Sequence, residues 1–548
     1  MYHRNICWIG MALMVACLVS VPVASARAGD AGGITTGTAQ DIVGSTANSP
    51  TADDLKNAQK TEPFALKVAD AVGQNRVAIN LMWTLLTGFL VMFMQAGFAM
   101  VETGFCRAKN AAHTMMMNFM VYPLGMLGFW VCGFALMFGG ATAVANLGGT
   151  APLASGQEFT IHLFGKPFGL FGTKGFFLGG DAYDVAVFAL FLFQMVFMDT
   201  AVTIPTGAMA ERWKFSAFMI YGPIMGMIIY PIFGNWAWGG GWLSQLGANF
   251  GLGHGYVDFA GSGVVHAVGG FVGLAGAMLL GPRLGKYNKD GSANAIVGHD
   301  IPMAIIGTFI LAFGWFGFNP GSTLGAAGAG NLRIGIVATV TMLASASGAV
   351  VAALYMWKTV GKPDPSMTAN GMLAGLVAIT APSAFVGAWA AIAIGGIAGV
   401  LVCGAVRFFD RVHLDDPVGA VSVHGINGIW GVLSVGIFAD GTFGDPWNSV
   451  KGPVKGLLYG DVGQLLAQCI GAITVIAWAF GVSWLVFKAI DKLVGLRSRA
   501  EDELAGLDLP EVGAEAYPSF PLLEQTGGGV PGMTPARPVS LRPMPESE

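Results

Sequence analysis

Apolar runs long enough to cross a bilayer recur from about Trp83 to Ile490, and this repetition constrains the fold more than any other feature. A spanning helix needs about 20 apolar residues for a hydrocarbon layer roughly 30 Å thick. Only helices and closed barrels satisfy their backbone there. Hydropathy gives eleven runs, at about 80–104, 114–138, 184–209, 215–236, 260–281, 301–319, 332–357, 370–386, 388–409, 417–438 and 464–489. Composition agrees, because 11% charged residues cannot cover a soluble protein of 548 residues. The expected class is an all-α polytopic membrane protein with eleven transmembrane helices. A net charge of -4, spread widely, offers no basic patch for nucleic acid. The six cysteines form neither a CxxC nor a Cys/His cluster, which argues against zinc and a disulfide framework.

The segments outside the runs divide by composition. His3 and Arg4 precede an apolar core from Ile6 to Val23 and small residues ending at Ala28, the layout of a secretory signal over 1–28. An uncleaved extra span is the alternative. Residues 29–79 read as an external, periplasmic linker, with a short surface helix from about Asp53 to Val72. The membrane domain follows at 80–490, then a cytoplasmic tail at 491–517. The Pro- and Gly-rich 518–548 reads as a disordered extension. With the N-terminus outside, one set of loops holds Arg107, Lys109, Arg212, Lys214, Arg283 and Lys286, among others. The opposite set holds only Lys166, Lys174, Arg333, Lys451 and Lys455. That asymmetry orients the tail to the cytoplasm.

The two halves of the chain match. FLVMFMQAGF from Phe89 pairs with FILAFGWFGF from Phe309, so that Phe89, Phe93, Gly97 and Phe98 recur as Phe309, Phe313, Gly317 and Phe318. Helices five spans apart run in opposite directions, which implies two inverted five-helix repeats plus a final helix, with a site between them near the midplane.

Two further stretches share a plan: DFAGSGVVHAVGG (Asp258–Gly270) and DPVGAVSVHGING (Asp416–Gly428), each an acid with a histidine eight residues on. Eight residues of α-helix rise about 12 Å, which carries His266 and His424 from the interface to mid-membrane. Intramembrane histidines usually serve a cavity or relay. Two neutral imidazoles can share one proton between facing nitrogens, each held by a partner on its other nitrogen. A satisfied structural pair is the plain alternative; a metal site lacks a third ligand. Asp258 and Asp416 suit helix capping, and Asp258 could add negative potential at an entrance.

At this point the chain resembles the ammonium transporter family (the Amt/Mep/Rh group). The motifs are GFAMVETGFCRAKN, GAMAERWKFSAF, WAWGGGWL, DFAGSGVVH, GWFGFNPGS and DDPVGAVSVHGINGIWG, and the resemblance covers about Leu81 to Tyr517. It implies a homotrimer with one pore per subunit. Trp238, Phe197 and Ser322 match the family's outer ammonium site, Phe197 and Phe318 its stacked phenyl gate, and His266 and His424 its twin histidines. Without the resemblance, Trp238 also suits an interfacial belt, and the phenylalanines suit packing. The indole at Trp238 favours the ammonium type over the Rh branch.

The tail matches the family's regulatory tail at Gly506, Leu507, Asp508, Gly513, Glu515 and Tyr517. Val512 departs from a common histidine, and Gly419 stands where some bacterial relatives carry an acid. A PII-type nitrogen regulatory protein is the partner implied on that face. The implied function is ammonium transport in a bacterial inner membrane, with ammonia and a relayed proton crossing separately. The alternatives are a sensor signalling through the tail and an electroneutral Rh-like gas channel. No nucleophile–base set or cofactor motif appears, so no enzyme, cofactor or metal is expected.

Overall fold

A computed structural model describes residues 37–44, 49–140, 147, 158–179, 185–328, 333–442 and 447–518. The expected signal at 1–28 and all of the extension after Pro518 lie outside these residues. Ten helices among them are long and apolar enough to cross a membrane. They are α1 (Pro63–Phe105), α2 (Ala108–Phe138), α3 (Val185–Ala208), α4 (Phe215–Trp238), α5 (Ser262–Leu280), α6 (Ile301–Thr323), α7 (Ile334–Val360), α9 (Ala388–Arg411), α10 (Val421–Phe438) and α11 (Val462–Val494). Between α7 and α9 lies α8 (Pro365–Thr380), whose 16 residues fall short of that length. The run expected at 370–386 therefore starts five residues early. The Asp364 carboxylate accepts the Met367 amide at 2.8 Å, and Pro365 occupies the first turn, a start signal that hydropathy does not register.

The linker drawn over 29–79 needs correction. Ala52–Thr61 is a helix opened by a capping box, with the Thr51 hydroxyl accepting the Asp54 amide at 3.1 Å. It does not run on to Val72. Glu62 precedes a proline, takes a non-helical backbone conformation (φ -133°, ψ 67°), and ends it. Pro63 then starts α1, whose 43 residues extend well past the 80 boundary. Among the described residues two strands, β1 (Glu158–Leu163) and β2 (Lys166–Gly172), form an antiparallel hairpin in the long loop between α2 and α3. It lies against the end of α4, where Trp236 Nε1 donates to the Leu170 carbonyl at 2.9 Å.

Helices α3 and α5 are 83% buried in their most apolar windows, whereas α7 and α11 are only 33% buried. The first pair forms the centre and the second faces outward, where lipid is the expected neighbour. The inverted halves meet along α1 and α6. A Cβ added at Gly97 would lie 3.0 Å from the Gly307 carbonyl oxygen, so small residues let these backbones touch. The repeated phenylalanines divide alike in both halves. Phe89, Phe93, Phe309 and Phe313 are exposed on the outer surface, and Phe98 and Phe318 are buried.

The loops at the tail-bearing end are tied by a buried ion network. Glu211 accepts from Arg107 Nε at 2.7 Å and lies 3.3 Å from Arg283, which in turn grips Asp415 at 2.8 and 3.0 Å. Burial would raise the Asp415 carboxyl, but the Arg283 hydrogen bonds and the charges of Arg212 and Arg283 hold it down at about 2. The tail packs onto the same end. The Leu507 amide donates to Asn110, Asp508 accepts the His113 amide, and Glu511 accepts the Phe215 amide.

Candidate functional site

The acid–histidine stretches do not form continuous helices, which corrects the 12 Å reading. Asp258 lies outside α5, and Gly261, at φ +111°, turns the chain into Ser262. One carboxylate oxygen of Asp258 accepts the Gly261 amide at 2.8 Å, and the other accepts Gly263 and Val264 at 2.8 and 2.9 Å. These are amides that a helix start leaves without internal partners. Asp416 does the same for α10, accepting the Ser422 amide at 3.1 Å. Each histidine then falls within the first two turns of its helix.

Those first turns are π-helical, at Ser262–Ala267 and Val421–Ile426. Each wide turn holds one histidine. Such bulges are rare and cluster at functional sites. In α10 the Asn427 side chain donates to the Ser422 carbonyl at 2.9 Å, stabilising the widened turn. The helices cross at their glycines: a Cβ at Gly270 would lie 2.2 Å from the Gly425 nitrogen. This close approach brings His266 Nδ1 to 3.1 Å from His424 Nδ1, with both rings buried. One Nδ1 must donate and the other accept. His266 Nε2, by contrast, has no partner among the described residues, so the expectation that each far nitrogen is held fails for this ring.

The aromatic residues form a file leading to that pair. Trp238 meets Phe197 edge-on at 6.2 Å between ring centroids, and Phe197 stacks on Phe318 at 4.0 Å. Phe318 stacks on His266 at 5.3 Å, and His266 on His424 at 5.2 Å. The half-buried Trp238 is oriented by its Nε1, which donates to the Asp258 carbonyl at 2.6 Å. Ser322 Oγ donates to the Phe318 carbonyl at 2.7 Å, which leaves its lone pairs as acceptors.

Sequence reasoning missed three residues here. Trp315 stacks on the face of His266 at 5.2 Å and is locked by Thr380, to which its Nε1 donates at 2.9 Å. Phe98 lies against His424 at 5.9 Å. Its kinship with Phe318 in the repeat was the available signal. Asp199, two residues past Phe197 on α3, is buried with one oxygen unpartnered; a lone acid inside an apolar run was its signal.

Residues 82–517 match the sequence profile of the Ammonium Transporter Family. The chain belongs to that family. Among its ammonium transporter relatives, Amt2 of Archaeoglobus fulgidus is 48% identical over 472 residues, spanning 84% of this chain and 94% of that protein. Amt1 of Haloferax mediterranei is 37% identical, over 81% and 80% of the two chains. A solved structure titled Sensor Amt Protein superposes with a TM-score of 0.69 at 37% identity, covering 80% of this chain and 99% of that one. Mep2 of Candida albicans gives 0.65 at 25% identity, over 78% and 87%. This ammonium transporter family member is thus a multi-pass membrane protein. The match begins inside α1 and ends at Tyr517, whose hydroxyl meets His299 Nε2 at 2.8 Å.

Proposed function

We propose that the protein transports ammonium by separating it into ammonia and a proton. An ammonium ion needs aromatic faces and acceptor oxygens to replace its water. One cation–π contact supplies only about 0.5–2 kcal/mol, so Trp238, Phe197 and the Ser322 oxygen share the task with retained water. The stacked rings of Phe197 and Phe318 bar hydrated ions. Ammonium therefore gives up its proton near them, and ammonia continues through the apolar pore. The proton passes along His266 and His424, whose facing Nδ1 atoms hold one hydrogen between them. The unpartnered Nε2 of His266 is the free site at which a proton can arrive. The observation that supports this reading most is the ring-to-ring file from Trp238 to His424, ending in the 3.1 Å imidazole contact.

Asp258 and Asp416 act as structural caps, and Asp258 also orients Trp238 through its carbonyl. The excess of basic residues in the loops at the tail-bearing end supports a cytoplasmic tail, and our reading is a homotrimer in a bacterial inner membrane. A PII-type regulatory protein is the partner proposed for the tail-bearing face.

Current and pH recorded from proteoliposomes challenged with ammonium test transport directly. Wild-type protein should carry an inward current, and Trp238→Leu should raise the ammonium concentration needed for half-maximal current several-fold. Current-free uptake would favour the gas-channel alternative instead. The sensor alternative rests on one observation, the 37% identity to a structure titled Sensor Amt Protein. It would prevail if deleting residues 493–548 abolished nitrogen signalling in cells whose uptake was always negligible.

A further inference from the structure

The inverted halves place Phe98 and Phe318 at equivalent positions, one against each histidine. One helical turn further along, at the i+4 position of each helix, α6 presents Ser322 and α1 presents Glu102. In the function proposed above, Ser322 belongs to the entrance with Trp238. Glu102 is therefore its counterpart at the tail-bearing end, with a carboxyl where the entrance has a hydroxyl.

The surroundings of Glu102 are specific. It is only 2% exposed. Asn118 Nδ2 donates to its Oε2 at 2.8 Å, and Thr206 Oγ1 donates to the same oxygen at 2.8 Å. Both donors are neutral, and no lysine or arginine reaches the group among the described residues. Glu102 and His424 line one cavity, whose other walls include Phe98, Ile204, Leu311 and Val418. A Cβ at Gly207 would sit 3.1 Å from Glu102 Oε1 and 2.5 Å from Val418, so glycine keeps this space open. Ionisable groups buried among membrane helices are costly, and they mark ion or proton paths. An acid with only neutral donors and no cationic partner is best satisfied by a proton or by a small cation in the cavity.

We propose that Glu102 is the exit-side site at which ammonium re-forms. This rests on the histidine relay proposed above. The N–H bond of protonated His424 breaks, and the proton adds to the Glu102 carboxylate. The O–H bond so formed then breaks as the lone pair of ammonia takes the proton. Ammonium leaves, the carboxylate is restored, and nothing is oxidised or reduced. The acid thereby keeps the histidine pair from remaining charged between turnovers.

The test compares Glu102→Gln, Glu102→Asp and the double variant His266→Ala with His424→Ala, each reconstituted in proteoliposomes and challenged with ammonium. Glu102→Gln keeps the size of the side chain and one acceptor oxygen but cannot titrate; its current should fall at least tenfold. Glu102→Asp keeps the acid and should retain more than half of the wild-type current. Thermal unfolding in detergent should be within a few degrees of wild type for both. Undiminished current in Glu102→Gln, with the double histidine variant silent, would overturn the role of Glu102 and leave the relay standing. Equal losses in the Gln and Asp variants, with lowered unfolding temperatures, would make the acid a packing element and also overturn the proposal. Full current in the double histidine variant would remove the relay beneath it.

Discussion

Asp258 shows how one side chain sets several parts of the site. Its carboxylate accepts the amides of Gly261, Gly263 and Val264 at the start of α5, and its carbonyl receives the Trp238 indole at 2.6 Å. Charge-assisted hydrogen bonds to a helix start are worth more than neutral ones, and a cap alone contributes about 0.5–2 kcal/mol. Asp258→Ala should therefore lower unfolding stability by at least about 2 kcal/mol, read as a drop in thermal midpoint in detergent. Asp258→Asn keeps one acceptor oxygen and should lose less than half as much. Equal stability of all three proteins would show that these bonds contribute little. The acid and its cap role were legible from sequence, because an aspartate before a small-residue helix has few other uses. The indole bond was not, since nothing in a linear pattern relates Trp238 to a carbonyl twenty residues on. Trp315 was hidden for a similar reason: it lies in an aromatic run where only three-dimensional stacking separates it from packing residues.

At the scale of helices, hydropathy located the apolar runs because bilayer thickness fixes their length. It did not reveal their ends or their irregularities. The break at Glu62 and Pro63 and the early start of α8 depend on caps and prolines, which carry little hydropathy. The π-helical turns at Ser262–Ala267 and Val421–Ile426 have no compositional signature, although they set the direction of both imidazoles. The acid–histidine spacing was read as eight residues of α-helix; the chain instead spends its first residues on a cap and a left-handed glycine. The crossing of α5 and α10 depends on the missing side chain at Gly270. Gly270→Leu would force the helices apart and should reduce ammonium uptake at least tenfold in cells lacking other transporters. Gly404→Leu, where an added Cβ meets nothing within 4 Å, should leave uptake near normal. Normal uptake by Gly270→Leu would show that the close crossing is dispensable.

For the molecule as a whole, the buried network of Arg107, Glu211, Arg283 and Asp415 joins loops that are distant in sequence. Its carboxylates are held low, Asp415 at about 2 against an ordinary 3.8. A carboxyl depressed on folding adds stability that is fully present above its unfolded value. That stability is lost as pH falls through the folded one. For Asp415 the window is pH 4 to 2, and the contribution is about 2–3 kcal/mol. The thermal midpoint should therefore hold steady from pH 7 to 5 and drop below 4. Asp415→Asn should be less stable at pH 7 and lose less on acidification; a parallel fall in both proteins would place the acid sensitivity elsewhere.

Separation of ammonium into ammonia and a mobile proton is the role proposed here for the aromatic file and the imidazole pair. The direct measurement is charge moved per ammonia delivered, from simultaneous current and uptake in proteoliposomes. Wild-type protein should move one elementary charge per molecule. The double variant His266→Ala with His424→Ala should carry no current while remaining folded and assembled. A double variant that still moves one charge per ammonia would contradict the relay.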